Sequence, residues 1–212
     1  MFKIDEDAKT CAVVGNSGIV LNEKHGALID SHDFVIRFNL APTEGYEEHV
    51  GTKTSLRIVN CHMFNSLLPN SSKDNEETFS KFDPDYALKI KNENVLIKNN
   101  VNPMVFAPVF ELMKQNGCTV NILDPKIIET VSEELKLKAS IEPSNGMIGT
   151  FLAMSLFKEV SCFGFSFYDD PWETKHYYED MKPYDQSVVH NFTEERDWLL
   201  DLDEKKQIRM YK

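Results

Sequence analysis

The chain has 212 residues, 42% of them hydrophobic and 11% aromatic, which is enough apolar material for one domain with a sizeable core. Its formal net charge of -11 opposes general binding to nucleic acid or to an anionic membrane, so an anionic ligand would have to be held by local dipoles and hydrogen bonds. No run of about 18 apolar residues occurs and the start of the chain is charged, so the expectation is a soluble protein without a membrane span or a signal peptide.

Taken in order, residues 11–14 (Cys-Ala-Val-Val) predict a buried strand that ends at the loop Gly15-Asn-Ser-Gly18. A helical stretch through Ile29 and a second strand over 34–38 complete a βαβ unit. Further strands are predicted over 55–59, 95–97 and 119–123, with helices over 106–115 and 125–138. Pro143-Ser-Asn-Gly-Met147 opens a second loop-to-helix unit, in which Ser144 is placed to cap a helix over 147–157 and a strand comes next over 160–165. In the tail, residues 192–205 put Phe192, Trp198, Leu199 and Leu202 on one helical face, a stripe that reads as core. The alternation predicts an α/β fold with a mostly parallel central sheet flanked by helices, as one domain over 1–212. A polar excursion over 66–85 is expected on its surface, near a substrate entrance.

Two places can present backbone N–H groups to an anion at a strand-to-helix turn: Gly15-Asn-Ser-Gly18 and Ser144-Asn-Gly146. The first lacks the full dinucleotide fingerprint, and a tight turn explains it equally well; the second reads equally well as a plain N-cap. Two D-x-D strings, Asp83-Pro-Asp85 and Asp201-Leu-Asp203, have the form of metal-binding carboxylates but sit in a polar excursion and on a solvated helix face, so ordinary surface charge is expected and no metal. Cys11, Cys61, Cys118 and Cys162 have no metal-ligand spacing, and buried free thiols are expected. Histidine is the side chain best suited to proton transfer near neutral pH. His176 heads an aromatic string and His190 stands where a helix begins, although by composition alone each is more readily a cap or a core residue.

Residues 11–18, the run Ile29-Asp-Ser-His-Asp-Phe-Val-Ile-Arg-Phe-Asn39, Ala41-Pro-Thr43 and Val50-Gly-Thr-Lys-Thr54 closely resemble the long sialylmotif of the animal-type sialyltransferase family. Pro143 to Met147 through Glu159-Val160 and Phe163-Gly-Phe165 resemble the short sialylmotif, His176-Tyr-Tyr-Glu179 the third motif, and His190 with Glu195 the very short motif. All four stand in the family's order. The resemblance implies a Rossmann-like nucleotide-binding glycosyltransferase fold, a variant of the GT-A type, and an inverting, metal-independent transfer from CMP-sialic acid to a hydroxyl of a galactose-terminated glycan, with no cofactor. It also implies roles: Asn16, Ser17 and Asn39 on the CMP side of the donor, Ser144, Asn145 and Gly146 at its phosphate and carboxylate, His176 at the leaving phosphate and His190 as general base. Glu195 would position the loop or polarise His190, with an ordinary first-turn carboxylate as the plain alternative.

The pattern is broken in places. The family's long-motif cysteine is implied to pair with one in the short motif, where this chain has Phe157, so the resemblance leaves Cys11 without its partner and Cys162 as an open substitute. Asn145 stands in place of the usual threonine. The family is implied to be Golgi lumenal and membrane-anchored. The sequons Asn70-Ser-Ser72 and Asn191-Phe-Thr193, the second of which would place a glycan beside the base, and the missing cysteine lean the expectation toward a soluble, cytoplasmic enzyme. His190-Asn191 followed by Glu195 looks most like family members that form α2,3 linkages, a slight lean. Three rivals stay open: the same mechanism with another CMP-activated ulosonic acid such as Kdo, a catalytically silent nucleotide- or glycan-binding module, and an oxidoreductase resting only on the first glycine loop.

Overall fold

In the computed structural model, the residues described are 4–60, 90–98, 103–138, 141–166, 176–178 and 190–211. Their seven strands form one sheet: β1 (Thr10–Val14), β2 (Phe34–Phe38), β3 (Leu56–Asn60), β4 (Asn94–Lys98), β5 (Thr119–Ile122), β6 (Glu159–Phe163) and β7 (Arg209–Tyr211). The order is β5-β4-β3-β2-β1-β6-β7, and all six pairings are parallel. Between them lie α1 (Gly26–Asp30), α2 (Glu47–Val50), α3 (Pro103–Gln115), α4 (Pro125–Glu134), α5 (Asn145–Leu156) and α6 (Phe192–Glu204).

Continuous Val, Ile and Phe runs form the inner strands because a parallel sheet is covered on both faces. Along β1, Cys11 and Val13 enter one core with Phe34, Ile36, Met147 and Ile148, while Ala12 and Val14 enter the other with Ile29, Val35 and Val50. The first core is roofed by α5, which crosses β1, β2, β3 and β6. Gly149 lets it lie close: a Cβ there would meet the Phe38 ring. Leu199 and Leu202 of α6 join this core with Trp198 packed at its margin, as the tail's stripe predicts.

Several local expectations need correction. The helical stretch through Ile29 is two short pieces, a 3-10 turn (Gly18–Asn22) and α1. Gly26 opens α1 against the backbone of Glu47 and Glu48 in α2, where any Cβ would collide, so the break is fixed by that close approach. The second helix unit starts at Asn145, two residues earlier than the spacing suggests, and α4 stops at Glu134, four residues early. Finally, β7 was not anticipated; three residues at a half-exposed edge carry too little pattern to announce a strand.

Cys11, Cys118 and Cys162 are free and buried. Cys11 lies opposite Val160 and Cys162 opposite Val13, two residues apart on adjacent strands. That offset is about 6–7 Å along the strand, beyond the ~3.8 Å that disulfide Cβ atoms need. Burial pushes the Cys162 thiol up to about 12, and burial with the neighbouring Cys162 raises Cys11 as well, so both behave as small apolar core groups. Phe157, standing where the family's pattern has a cysteine, packs its ring 5.1 Å from Phe34 in the core that holds Cys11. The Asp83-Pro-Asp85 string, Cys61, the sequon at Asn70 and the 66–85 excursion lie outside the described residues.

Candidate active site

The chain runs outward from β1 through β2, β3, β4 and β5, then returns to add β6 on the other side, so the topological switch point lies between β1 and β6. Crevices outside the carboxyl ends of strands at such a point are where open α/β sheets bind ligands. Asn16 and Ser17 come just after β1, Asn39 just after β2 and Ser166 after β6, while Lys98 ends β4, all at this edge. The Ser17 hydroxyl donates to the Ser166 hydroxyl at 2.9 Å across the switch point.

The first loop is not the anion cradle the sequence suggests. Gly15 N–H donates to the Phe163 carbonyl at 2.7 Å and Ser17 N–H to the Gly164 carbonyl at 3.2 Å. The loop leads into a single 3-10 turn, capped by Ser17 Oγ accepting from Ile19 N–H, so no long helix dipole points at it. Gly15 is needed for contact: a Cβ would collide with the Gly164 carbonyl oxygen. The side chains still face the edge. Asn16 Nδ2 donates to the Phe38 carbonyl at 3.4 Å, while its buried Oδ1 has no partner among the described residues.

The second loop keeps the expected form. Ser144 is the N-cap of the 12-residue α5, its hydroxyl accepting from Met147 N–H at 3.4 Å. Asn145 and Gly146 therefore occupy the first turn, where N–H groups have no partner inside the helix. Asn39, at a left-handed φ of 49° that asparagine tolerates, accepts through Oδ1 from Asn60 N–H at 3.0 Å and from Asn145 Nδ2 at 3.3 Å. It thus ties the ends of β2 and β3 to the start of α5, the contact with α5 being made by the Asn145 side-chain amide.

His190 lies just before α6, and its Nδ1 is 2.8 Å from the Glu142 carbonyl oxygen. A carbonyl only accepts, so Nδ1 carries the proton and the neutral ring has its lone pair on Nε2. Glu195, in the first turn of α6, is 1% exposed, and its carboxylate accepts from Ser144 N–H at 2.7 Å. Burial pushes the Glu195 carboxyl up to about 7, against the opposing pull of its Ser144 hydrogen bonds and the Lys98 charge. Glu195 is thus both a first-turn carboxylate of α6 and a grip on the start of α5, while the Nδ1 partner of His190 is the Glu142 carbonyl. Asn191, the sequon residue, is the N-cap of α6, its Oδ1 accepting from Glu194 N–H at 3.4 Å.

His176 reaches the same edge through its neighbour. Tyr177 N–H donates to the Asn16 carbonyl at 2.9 Å, its phenol donates to the Pro42 carbonyl, and its ring packs edge-on to Tyr46. The His176 ring stacks on Tyr178 with centroids 5.2 Å apart. Of the Asp201-Leu-Asp203 string, Asp201 pairs with Lys205 on an exposed helix face and Asp203 accepts from Met210 N–H at 2.9 Å. Lys98 and Glu142 were missed. Lys98 is 1% exposed and donates to the Pro143 carbonyl at 3.0 Å, with the Glu142 carboxylate 3.1 Å away. A lysine directly after the apolar run Val-Leu-Ile, closing the strand, was the available signal.

The sequence pattern of glycosyltransferase family 29 (sialyltransferase) matches residues 3–207. A beta-galactoside alpha-2,6-sialyltransferase 2 of Gallus gallus is 38% identical over 160 residues, 71% of this chain and 30% of that protein. A CMP-N-acetylneuraminate-beta-galactosamide-alpha-2,3-sialyltransferase 1 of Gallus gallus is 32% identical over 208 residues, 96% of this chain and 58% of that protein. The chain thus spans from under a third to somewhat over half the length of these relatives. A crystal structure of a mammalian sialyltransferase superposes with a TM-score of 0.71 at 23% identity, covering 99% of this chain and 74% of that one. At that identity the likeness shows the fold: the Rossmann-like sheet and its helices are shared.

Proposed function

The chain belongs to glycosyltransferase family 29, the sialyltransferases, and from that premise we propose that it moves sialic acid from CMP-sialic acid to a hydroxyl of a galactose-terminated glycan. The observation that carries the mechanism is the 2.8 Å contact of His190 Nδ1 with the Glu142 carbonyl, which leaves the Nε2 lone pair as the ring's proton acceptor. The acceptor oxygen bonds to the anomeric carbon from the face opposite CMP while the carbon–phosphate oxygen bond breaks, inverting the centre. The hydroxyl proton goes to His190 Nε2 and CMP leaves with the bonding electron pair.

The supporting groups take their roles from their places at the sheet edge. Asn145 and Gly146 offer first-turn N–H groups of α5 to the donor's phosphate and carboxylate, fixed dipoles that need no reorganisation as charge develops. Asn16 Oδ1 accepts from the CMP portion, with Ser17 and the Nδ2 of Asn39 beside it. His176 meets the departing phosphate. No metal enters any step. Both relatives named above are sialyltransferases, one named for a beta-galactoside and the other for CMP-N-acetylneuraminate and a beta-galactosamide, which favours sialic acid over another ulosonic acid as the transferred sugar.

The test is release of CMP from CMP-N-acetylneuraminate with galactose-terminated acceptors, with and without EDTA. His190→Ala should lower kcat by about 10²–10⁴-fold with CMP affinity retained. Unchanged transfer in that variant would remove His190 as the base, and strict loss of activity in EDTA would overturn the metal-free step.

A further inference from the structure

Three consecutive residues ahead of α5 are each gripped by a different part of the chain. The Glu142 carbonyl accepts from His190, the Pro143 carbonyl from Lys98 at the end of β4, and Ser144 N–H donates to Glu195. Lys98 grips the segment twice, because its ammonium also pairs with the Glu142 carboxylate at 3.1 Å. Glu142 is therefore shared: its side chain is held by Lys98 and its carbonyl orients His190.

We propose that Lys98 is a positioning residue for the His190 base, locking Glu142 and Pro143 so that the Glu142 carbonyl holds the imidazole in its Nδ1–H tautomer with Nε2 presented to the acceptor hydroxyl. The inference rests on the reading of His190 as the base. The placement of Lys98 favours it. At 1% exposure the ammonium carries a desolvation cost that an apolar residue at this strand end would avoid, and its partner carboxylate on Glu142 is 40% exposed, so the pair is a weak source of stability; what it does supply is fixed geometry. The Pro143 carbonyl is at a buried residue and accepts from Lys98, so it gives the ammonium a second anchor in the same segment. Glu142 precedes a proline, which restricts its backbone to the extended region, so anchoring its side chain also sets where its carbonyl points.

The test uses the whole chain with histidine labelled by ¹⁵N, the His190 signal being assigned by its loss in His190→Ala. The wild type should show the Nδ1–H tautomer at a pH where the ring is neutral. Lys98→Met should release the ring into a mixture of tautomers and lower kcat by about 10- to 100-fold while the donor KM changes little. Lys98→Arg, which keeps the charge and the donors, should restore most of both. Glu142→Gln, at a partly exposed side chain, gives a second probe if Lys98→Met does not fold, with a several-fold loss and the same tautomer shift expected. A wild-type tautomer and kcat in Lys98→Met, or in Glu142→Gln if that is the variant that folds, would overturn the proposal. The tautomer readout is independent of transfer: were His190→Ala fully active, the base reading would fall while the ring's dependence on Lys98 would still be decided by the spectrum.

Discussion

Gly15-Asn-Ser-Gly18 and Ser144-Asn-Gly146 are nearly the same in composition, each comes after an apolar or extended segment, and each precedes a helical turn, yet they do different work. In the first, backbone N–H groups close onto β6, and the serine amide donates to the Gly164 carbonyl. In the second, the serine amide is held by a carboxylate from α6, and the next two residues open a 12-residue helix. A small-residue loop binds an anion through its backbone best where its amides have no carbonyl to serve, and a long helix behind them adds its dipole. The first loop contributes side chains and fixes the switch point; the second contributes dipoles.

The largest expected break in this contrast is Gly15→Ala. The added methyl would meet the backbone carbonyl of Gly164, which cannot rotate away, so a loss of about 3 kcal/mol or more in chemical denaturation is expected. Gly146→Ala would instead meet Phe165 Cε1 at 2.7 Å, the edge of a ring that can shift, and should fold while weakening CMP binding. Equal destabilisation by the two would show that both glycines serve packing alone.

Next in size is a pH dependence found only in the second loop. The Glu195 carboxyl stands near 7 in the fold, above its ordinary 4.5, so the folded chain holds the proton over a window in which the unfolded chain has lost it. The stability this supplies is complete below about pH 4.5 and is lost as pH rises through about 7. Glu195→Gln cannot lose that proton, so it should gain on the wild type by roughly 2–3 kcal/mol as pH rises between those limits, read from denaturation midpoints at several pH values. Parallel curves would show that the carboxyl is not perturbed.

Smaller effects separate the two serines. Ser144→Ala removes the cap of α5 and should cost about 1 kcal/mol. Ser17→Ala removes a bond to Ser166 and the cap of one 3-10 turn, with a cost of about 0.5 kcal/mol expected in the same denaturation measurement. A reversal of that order would mean the switch-point bond outweighs the helix cap.

Fold and site were legible in the sequence where pattern is dense. Phe34–Phe38 is a strand at the predicted limits because five consecutive apolar-dominated positions, including the buried Arg37, suit a sheet covered on both sides. His190, Ser144 and Asn145 were reachable through ordered motifs, since a motif preserves the residues that meet at one edge of the sheet. Lys98 and Glu142 were not, because each is ordinary in its own segment and acquires a role only when Lys98 meets the segment around Pro143, 45 residues further along the chain. The short strand Arg209–Tyr211 was hidden for the opposite reason: its partner Ser161–Phe163 defines it, and three residues define little.

The sequence by itself determined the element alternation, the α/β class, the two serine-bearing loops and the histidines before Tyr177 and α6, because local periodicity, caps and motif order are written in contiguous residues. Only the tertiary structure decided which loop keeps its amides, which nitrogen of His190 carries the proton, that Phe157 packs where a disulfide was implied, and that Glu195 grips Ser144. Each of those depends on hydrogen bonds or contacts between segments distant in the chain, and such pairings exist only once the sheet has fixed its neighbours.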